Sequence, residues 1–407
     1  MVTVNFILNG KPVSAEADGL TLLKYLRGVA CLKGAKEGCS TGHCGACTVL
    51  LDGKPVRSCV TRMDKLEGKS VVTIEALHGA DGGLHPIQQA FLDIGAVQCG
   101  FCTPGMVLAT KALLDVNPDP TDEEICEALK NNVKIIEAVQ LAAARLRGED
   151  PSVDDMRTWE NLEIVKYEGE DDVTAQDLTG RHIGRCAIDI DGPAKVTGAL
   201  PFTCDRADAD TLYGAFVWSQ HSRAKILSMD FSAVESAAGV VRVLTHKDVP
   251  GRNTYATFNP EQPVFCDTEV NFLGDMLALV VADTEAHARA AAKLARVEYE
   301  PLPGVFEIED SYALGGRQII RTIDFSSGDL AAAEKTPGLQ TFEGDYYLER
   351  QEHAYIEPEC AIGEYDESTG VVRVTTCTQS PFEIQNMLAP ILDLPAERVR
   401  VTGAPIG

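Results

Sequence analysis

Residues 37–47 read Glu-Gly-Cys-Ser-Thr-Gly-His-Cys-Gly-Ala-Cys, and this stretch governs how the N-terminal part of the chain folds. Its thiols Cys39, Cys44 and Cys47 follow the spacing C-x4-C-x2-C, and Cys59 supplies a fourth. This is the ligand spacing of a plant-type 2Fe-2S loop. Thiolates are the soft donors that iron prefers, and interleaved glycines let backbone amides approach the sulfurs. The stretch therefore predicts a 2Fe-2S cluster held by these four cysteines.

Two alternatives for these thiols are a zinc site and ordinary buried cysteines. Zinc sites are commonly built from C-x2-C pairs, which fit poorly with the four-residue gap and with Gly38, Gly42 and Gly45. The cluster is therefore the favoured interpretation.

The composition predicts an intracellular protein with several domains. A chain of 407 residues suggests about two to four domains. The net charge of −25 argues against nucleic-acid or anionic-membrane partners, since both need clustered Lys and Arg. We find no export signal after Met1 and no apolar run of membrane-spanning length. We therefore expect a cytoplasmic location, where the 13 cysteines stay reduced and available to metal.

The first 78 residues predict a β-grasp fold. Residues 2–8 and 11–17 are strand-like, and Asn9-Gly10 between them is a strong type I′ turn signal. A short helix, the cysteine loop and a second hairpin that delivers Cys59 follow. The predicted ferredoxin-like domain spans 1–78.

A helical module is predicted at 79–148. Pro86–Ile94 is amphipathic, and Thr103-Pro104 predicts an N-cap followed by the first residue of a helix. Thr121-x-x-Glu124 is a capping box, and Val133–Leu146 carries one apolar face. Four helices are expected.

The rest of the chain predicts two further globular units, which gives an α+β multidomain fold class. Strand and helix patterns alternate in the first unit, an α/β domain. Strand-like alternation at 340–379 and a helix at 383–392 mark the second. The predicted segments are a linker at 149–183, the α/β domain at 184–305, a linker at 306–339 and the second unit at 340–407.

A second cysteine pair lies in residues 98–105, Gln-Cys-Gly-Phe-Cys-Thr-Pro-Gly. Cys99 and Cys102 stand at the start of a predicted helix, where the positive dipole end favours thiolate. A single C-x2-C is consistent with a thioredoxin-type dithiol, half a zinc site or half a second cluster. Thioredoxin chemistry needs a βαβ setting that the flanking helices do not offer.

At this point the chain resembles the molybdenum hydroxylases, typified by xanthine dehydrogenase and aldehyde oxidoreductase. Both cysteine motifs carry the resemblance, and shorter motifs follow in the family's order. These are Asp-Gly-Pro-Ala-Lys-Val-Thr-Gly at 191–198, Leu-Gly-Asp at 273–275, Val-Glu-Tyr-Glu-Pro-Leu-Pro at 297–303 and Gln-Glu-His-Ala-Tyr-Ile-Glu-Pro-Glu at 351–359. The resemblance extends over essentially the whole chain, and residues 340–407 would begin a molybdopterin-binding domain.

The resemblance implies hydroxylation of an electron-poor carbon of a purine, N-heterocycle or aldehyde with oxygen from water. The implied cofactors are a molybdenum pyranopterin and two 2Fe-2S clusters, through which electrons leave singly. Cys39, Cys44, Cys47 and Cys59 would hold the distal cluster, and Cys99 and Cys102 half of the proximal one.

The resemblance also implies two cofactor contacts. Gln98 would hydrogen-bond the pterin, and Gln379 would approach an oxygen ligand of molybdenum. From spacing alone, a solvated amide at a strand end explains Gln379 equally well.

Two features depart from the family pattern. A C-x-C segment that would complete the proximal cluster is missing where Asn131-Asn132 runs into Val133, and Cys126 is interpreted as a core thiol. The sequence also ends at Gly407, where the family continues to a glycine-rich loop and a catalytic glutamate. We therefore expect a truncated molybdopterin-binding domain, an incomplete sequence and unknown catalytic residues.

The favoured function is that of a xanthine dehydrogenase-type hydroxylase acting on a purine or N-heterocycle. Aldehyde oxidation, a purely electron-transferring iron–sulfur module and a structural protein with inert cysteines are the alternatives. The expected partners are a small-molecule substrate, an electron acceptor protein or flavin subunit, and a second copy of the chain in a homodimer.

Overall fold

The computed structural model describes residues 3–17, 19–129, 132–149, 151–153, 189–255, 261–315 and 325–407. The predicted linker at 149–183 lies almost entirely outside these ranges. Asn131, half of the pair at which the C-x-C segment is missing, also lies outside them. Within these ranges no helix is both long and apolar enough to cross a membrane.

The N-terminal domain is built on a five-stranded sheet in the order β2-β1-β5-β3-β4. Its elements are β1 (Thr3–Leu8), β2 (Lys11–Glu16), helix α1 (Leu22–Gly28), β3 (Thr48–Leu51), β4 (Lys54–Arg57) and β5 (Ser70–Val72). Asn9 and Gly10 have φ values of 51° and 78°, so the predicted I′-type hairpin between β1 and β2 is confirmed. Alternate residues of β1 are buried against Leu22 and Leu26 of α1. The predicted β-grasp fold is therefore confirmed.

Four helices follow, as the sequence predicted. They are α2 (Pro86–Ile94), α3 (Thr103–Val116), α4 (Asp122–Ala128) and α5 (Val133–Leu146). The capping box before α4 is confirmed, because the Glu124 N–H donates to Thr121 Oγ1 at 3.3 Å and Glu124 Oε2 accepts from the Thr121 N–H at 2.8 Å. Phe91, Val107 and Leu141 lie in the common core of these helices.

The prediction that Thr103 caps α3 is wrong. Cys102 occupies the N-cap position without a side-chain cap bond, and Thr103 is the first helical residue. Gly100 has a φ of 90°, and its carbonyl accepts the Thr103 N–H at 3.3 Å. This turn winds the backbone before Thr103, so the helix begins one residue earlier relative to the threonine than its capping preference implies.

Residues 189–315 contain two three-stranded sheets, in the orders β6-β12-β8 and β11-β7-β13, and the short pair β9-β10. All the strand pairs in these sheets are antiparallel. The strands are β6 (Tyr213–Trp218), β7 (Ala224–Asp230), β8 (Val240–Leu244), β9 (Thr254–Tyr255), β10 (Gln262–Pro263), β11 (Glu269–Val270), β12 (Met276–Ala282) and β13 (Arg296–Pro301). The helices are α6 (Gly192–Val196), α7 (Ser232–Glu235), α8 (Glu285–Ala292) and α9 (Ile308–Ala313).

Residues 325–407 form a smaller sheet in the order β14-β15-β16. Helix α11 crosses between β15 and β16, which pair in parallel. The elements are α10 (Leu330–Ala333), β14 (Ala361–Asp366), β15 (Val371–Thr376), α11 (Pro381–Ile391) and β16 (Val399–Gly403).

The strand-like prediction for 340–379 is wrong for residues 340–360, which form no strand. Phe342, Tyr346 and Leu348 are 86%, 92% and 92% exposed. Alternating apolar residues form a strand only when a neighbouring strand pairs with them and one face is buried, and neither condition is met here.

Candidate iron–sulfur and pterin site

The β3–β4 hairpin brings the last two thiols of the first motif together. Cys47 immediately precedes β3 and Cys59 follows β4, and Thr48 pairs with Arg57 in the hairpin. The Ser58 N–H donates to the Cys47 carbonyl at 3.2 Å, and the Cys47 and Cys59 side chains are hydrogen-bonded to each other. The hairpin thus converts a sequence gap into a thiol pair.

Cys39 and Cys44 come together in the loop before β3. Cys39 Sγ accepts the backbone N–H groups of Thr41 and Cys44, each at 3.4 Å. Hydrogen bonds from Thr41 and from the Cys44 backbone lower the pKa of the Cys39 thiol to about 5. This sulfur is therefore a thiolate, the form that ligates metal, at neutral pH.

Cys59 is the opposite case. Burial, and then the hydrogen bond and charge of Cys47, raise the pKa of the Cys59 thiol to about 12. Such a thiol loses its proton at neutral pH only when a bound cation replaces that proton, so metal binding here releases protons.

The loop fits a 2Fe-2S cluster. Gly42 and Gly45 have φ values of 84° and 83°, and a Cβ on Gly38 would lie 3.0 Å from Cys44 Sγ and 2.9 Å from the Ile356 carbonyl oxygen. In the described ranges no three Cys, His, Asp or Glu side chains converge on the position of a single metal ion. Thiols arranged in pairs suit two irons better than one zinc. The four predicted cysteines would hold the cluster, which accepts and releases one electron at a time.

The second motif is less complete. Cys99 is exposed, and Cys102 is half-buried at the start of α3. Asn132 caps α5 by accepting the Lys134 N–H at 3.1 Å, so this helix begins directly after the Asn131-Asn132 pair. Cys126 is only half-buried on α4, so its interpretation as a core thiol holds in part. Two thiols are half of the four that a cluster requires.

The two cysteine motifs share one apolar contact. Cys44 and Cys102 both pack against a buried cluster of Ala46, Phe101, Leu200 and Phe202. The rings of Phe101 and Phe202 meet edge to face, with centroids 5.0 Å apart and an interplanar angle of 83°. Phe202 therefore brings a later part of the chain between the two iron–sulfur motifs.

A buried ion cluster beside this contact was missed by the sequence analysis. Asp205 Oδ2 lies 2.6 Å from Lys36 Nζ, and Asp205 Oδ1 lies 2.6 Å from Arg27 Nη2. Burial lowers the pKa of Lys36. Burial opposes ionisation of Asp205, but the charges of Arg27 and Lys36 outweigh it and lower the pKa of this carboxyl. No local pattern signals the cluster, because Lys36 and Asp205 are 169 positions apart.

The two predicted cofactor glutamines lie at the surface. Gln98 precedes the exposed Cys99, and Gln379 lies between β15 and α11, with both side chains exposed. Two exposed amides do not enclose a pterin. The described residues therefore do not build a pterin pocket by themselves, and we assign no catalytic step to one.

Comparison with known proteins identifies the class. Four family models match in order: the 2Fe-2S iron-sulfur cluster binding domain at residues 6–71, the [2Fe-2S] binding domain at 73–134, the aldehyde oxidase and xanthine dehydrogenase a/b hammerhead domain at 197–303, and the molybdopterin cofactor-binding domain at 315–407. This order defines a molybdenum and iron–sulfur oxidoreductase.

The chain belongs to the molybdenum hydroxylase family of xanthine dehydrogenase and aldehyde oxidoreductase. It is 34% identical to the aldehyde oxidoreductase of Megalodesulfovibrio gigas over 436 residues, which cover 100% of this chain and 46% of that protein. The nicotinate dehydrogenase small FeS subunit of Eubacterium barkeri is 45% identical over 152 residues, covering 35% of this chain and 96% of that subunit.

A solved structure matches the whole chain. The aldehyde oxidoreductase from Desulfovibrio desulfuricans superposes with a TM-score of 0.85 at 32% identity, covering 100% of this chain and 46% of that one. The chain therefore spans about half the length of the aldehyde oxidoreductases that it matches from end to end.

Proposed function

We propose that this chain carries the electron-transfer part and the first molybdenum-side domains of a hydroxylase that oxidises its substrate with oxygen from water. The observation that carries the proposal is the first cysteine loop, with four thiols in two pairs on a β-grasp sheet. A cluster bound there takes up electrons singly, which a two-electron hydroxylation requires of its outlet.

The contact between the two iron–sulfur motifs supports the same proposal. Phe101 of the second motif and Phe202 of the later region are 0% and 1% exposed and pack on each other. An electron-transfer module that works alone has no use for Phe202 or for the sheets that follow it. Residues 189–407 are therefore assigned to the hydroxylase and not to an accessory fold.

The full-length match favours an aldehyde as the substrate class. Iron–sulfur and hammerhead regions succeed each other here as in the aldehyde oxidoreductases, which cover 100% of the chain in both sequence and structure. A purine or N-heterocycle remains the second candidate. One xanthine dehydrogenase component of Bacillus subtilis is 34% identical over 223 residues, covering 53% of this chain and 30% of that protein.

The ligand assignment is tested by Cys44→Ser in the full chain. We expect loss of the bound iron and of the visible absorbance, because a hydroxyl replaces one of four thiolates. Cys31→Ser is the matched control, since Cys31 is an exposed cysteine of the same domain outside the motif. Equal iron in the Cys44 variant and the wild type would contradict the assignment.

The substrate class is tested by anaerobic mixing of the purified protein with benzaldehyde, hypoxanthine or nicotinate. Bleaching of the cluster absorbance by the aldehyde alone would support aldehyde oxidation, and bleaching by either heterocycle alone would support the second candidate. Clusters that dithionite bleaches but none of the three compounds does would favour the electron-transfer module.

A further inference from the structure

The buried ion cluster of Arg27, Lys36 and Asp205 lies between the first iron–sulfur domain and the region after residue 189. The side chains of these residues are 12%, 1% and 2% exposed. The Lys36 ammonium also donates to the Leu200 carbonyl at 3.3 Å and lies 5.1 Å from the centre of the Phe202 ring. All its neighbours beyond the first domain thus come from one short segment, 200–205.

Backbone contacts tie the cluster to the cysteine loop. The Lys36 N–H donates to the carbonyl of Ala46, which lies between Cys44 and Cys47, at 3.1 Å. Arg27 Nη1 donates to the Ala35 carbonyl at 3.1 Å. Both cations are therefore anchored to the backbone that enters or closes the loop.

The segment 200–205 is fixed in return. Asp205 Oδ2 accepts the Phe202 N–H at 3.1 Å, and Lys33 Nζ donates to the Asp205 carbonyl. Phe202 contacts Phe101, and both pack with Cys44 and Cys102 in one apolar cluster. Asp205 thus connects the charge cluster to the wall that both cysteine motifs share.

Two cations and one anion leave one net positive charge in a site shielded from water. Charges in such a site act more strongly than at the surface, because the local dielectric is low and counter-ions are excluded. Reduction adds one negative charge to an iron–sulfur cluster, and nearby net charge is one of the factors that set its potential.

We infer that Asp205, together with Lys36 and Arg27, is a positioning residue that sets the reduction potential of the first cluster from outside the iron–sulfur domain. The inference rests on the proposed function, since it needs a cluster in the first loop. It gives the molybdenum-side region a part in electron transfer: this region supplies the only anion of the three-residue cluster, while the iron–sulfur domain supplies both cations.

The test is a redox titration of the full-length protein, followed by the absorbance and the electron paramagnetic resonance of the first cluster. Lys36→Met removes a positive charge, so its midpoint potential should fall below the wild-type value. Asp205→Asn removes the negative charge, so its midpoint should rise. The double variant restores one net positive charge and should return towards the wild type. A residue that only held the fold would not give shifts of opposite sign.

Lys69→Met and Asp52→Asn are matched controls in the same domain, because this ion pair has side chains 41% and 47% exposed. Their midpoints should stay at the wild-type value. Single variants of the buried cluster that shift in the same direction, or not at all, at wild-type iron content would overturn the inference.

Arg27→Met replaces Asp205→Asn if the latter variant does not retain iron. A lowered midpoint in Arg27→Met, as in Lys36→Met, supports the inference, and an unchanged or raised midpoint overturns it. A wild-type chain that binds no iron contradicts the proposed function instead, so the two failures are distinguishable.

Discussion

The thiols of the first loop differ in their environments although they serve one site. The pKa of Cys39 is lowered to about 5 by hydrogen bonds, while that of Cys59 is raised to about 12 by burial and by Cys47. Their spacing was enough to predict the site, because cluster ligands in one loop are local in sequence. The environments were not predictable, because they depend on which amides the folded loop turns towards each sulfur.

Gly38→Ala tests the loop geometry at a single residue. The added Cβ would lie 3.0 Å from Cys44 Sγ and 2.9 Å from the Ile356 carbonyl oxygen, so the loop must shift. We expect a lower iron content per chain and faster loss of the visible absorbance in air. Gly28→Ala is the control, because nothing lies within 4 Å of its added Cβ. Equal iron content in both variants would contradict the tight cradle.

At the scale of elements, periodicity and capping predicted most of the structure. Pro86–Ile94 and Met276–Ala282 have the predicted bounds, because strong apolar patterns and clear end signals agree there. The prediction failed for residues 340–360, where alternation without a pairing strand gives no strand. It also misplaced the start of α3, because the turn at Gly100 outweighs the preference of Thr103 for the cap.

The packing of helix α3 on the first domain gives a prediction at this scale. A Cβ on Gly105 would lie 2.4 Å from the Gly45 carbonyl oxygen, so Gly105→Ala must push the helix away from the cysteine loop. Alanine is the better helix former by about 1 kcal/mol, yet we expect a lower melting temperature and less iron because the steric conflict outweighs this gain. Melting followed by circular dichroism and an iron assay measure both effects. An unchanged or raised melting temperature would show that the helix does not depend on this contact.

At the scale of the whole molecule, the two iron–sulfur motifs and residues 200–205 meet in one buried contact. The order of the domains was predictable from the order of the motifs. The contact between them was not, because Lys36 and Asp205 are charged residues whose burial depends on a partner 169 positions away.

Asp205→Ala tests the stability of this contact. The variant leaves Lys36 and Arg27 buried without their anion, which should lower the free energy of unfolding by about 3–5 kcal/mol. Urea unfolding of the full chain measures the loss. Asp64→Ala is the control, because its ion pair with Arg62 is exposed and screened by water, and it should unfold as the wild type does. Equal stability of the two variants would refute a structural role for the buried cluster.

The most direct test of the central claim is electron paramagnetic resonance of the anaerobically purified, dithionite-reduced chain, together with its iron content. A 2Fe-2S signal with about two irons per chain, lost in Cys44→Ser and kept in Cys31→Ser, is the predicted result. A wild-type chain without iron and without this signal would contradict the claim that its first cysteine loop is an electron carrier.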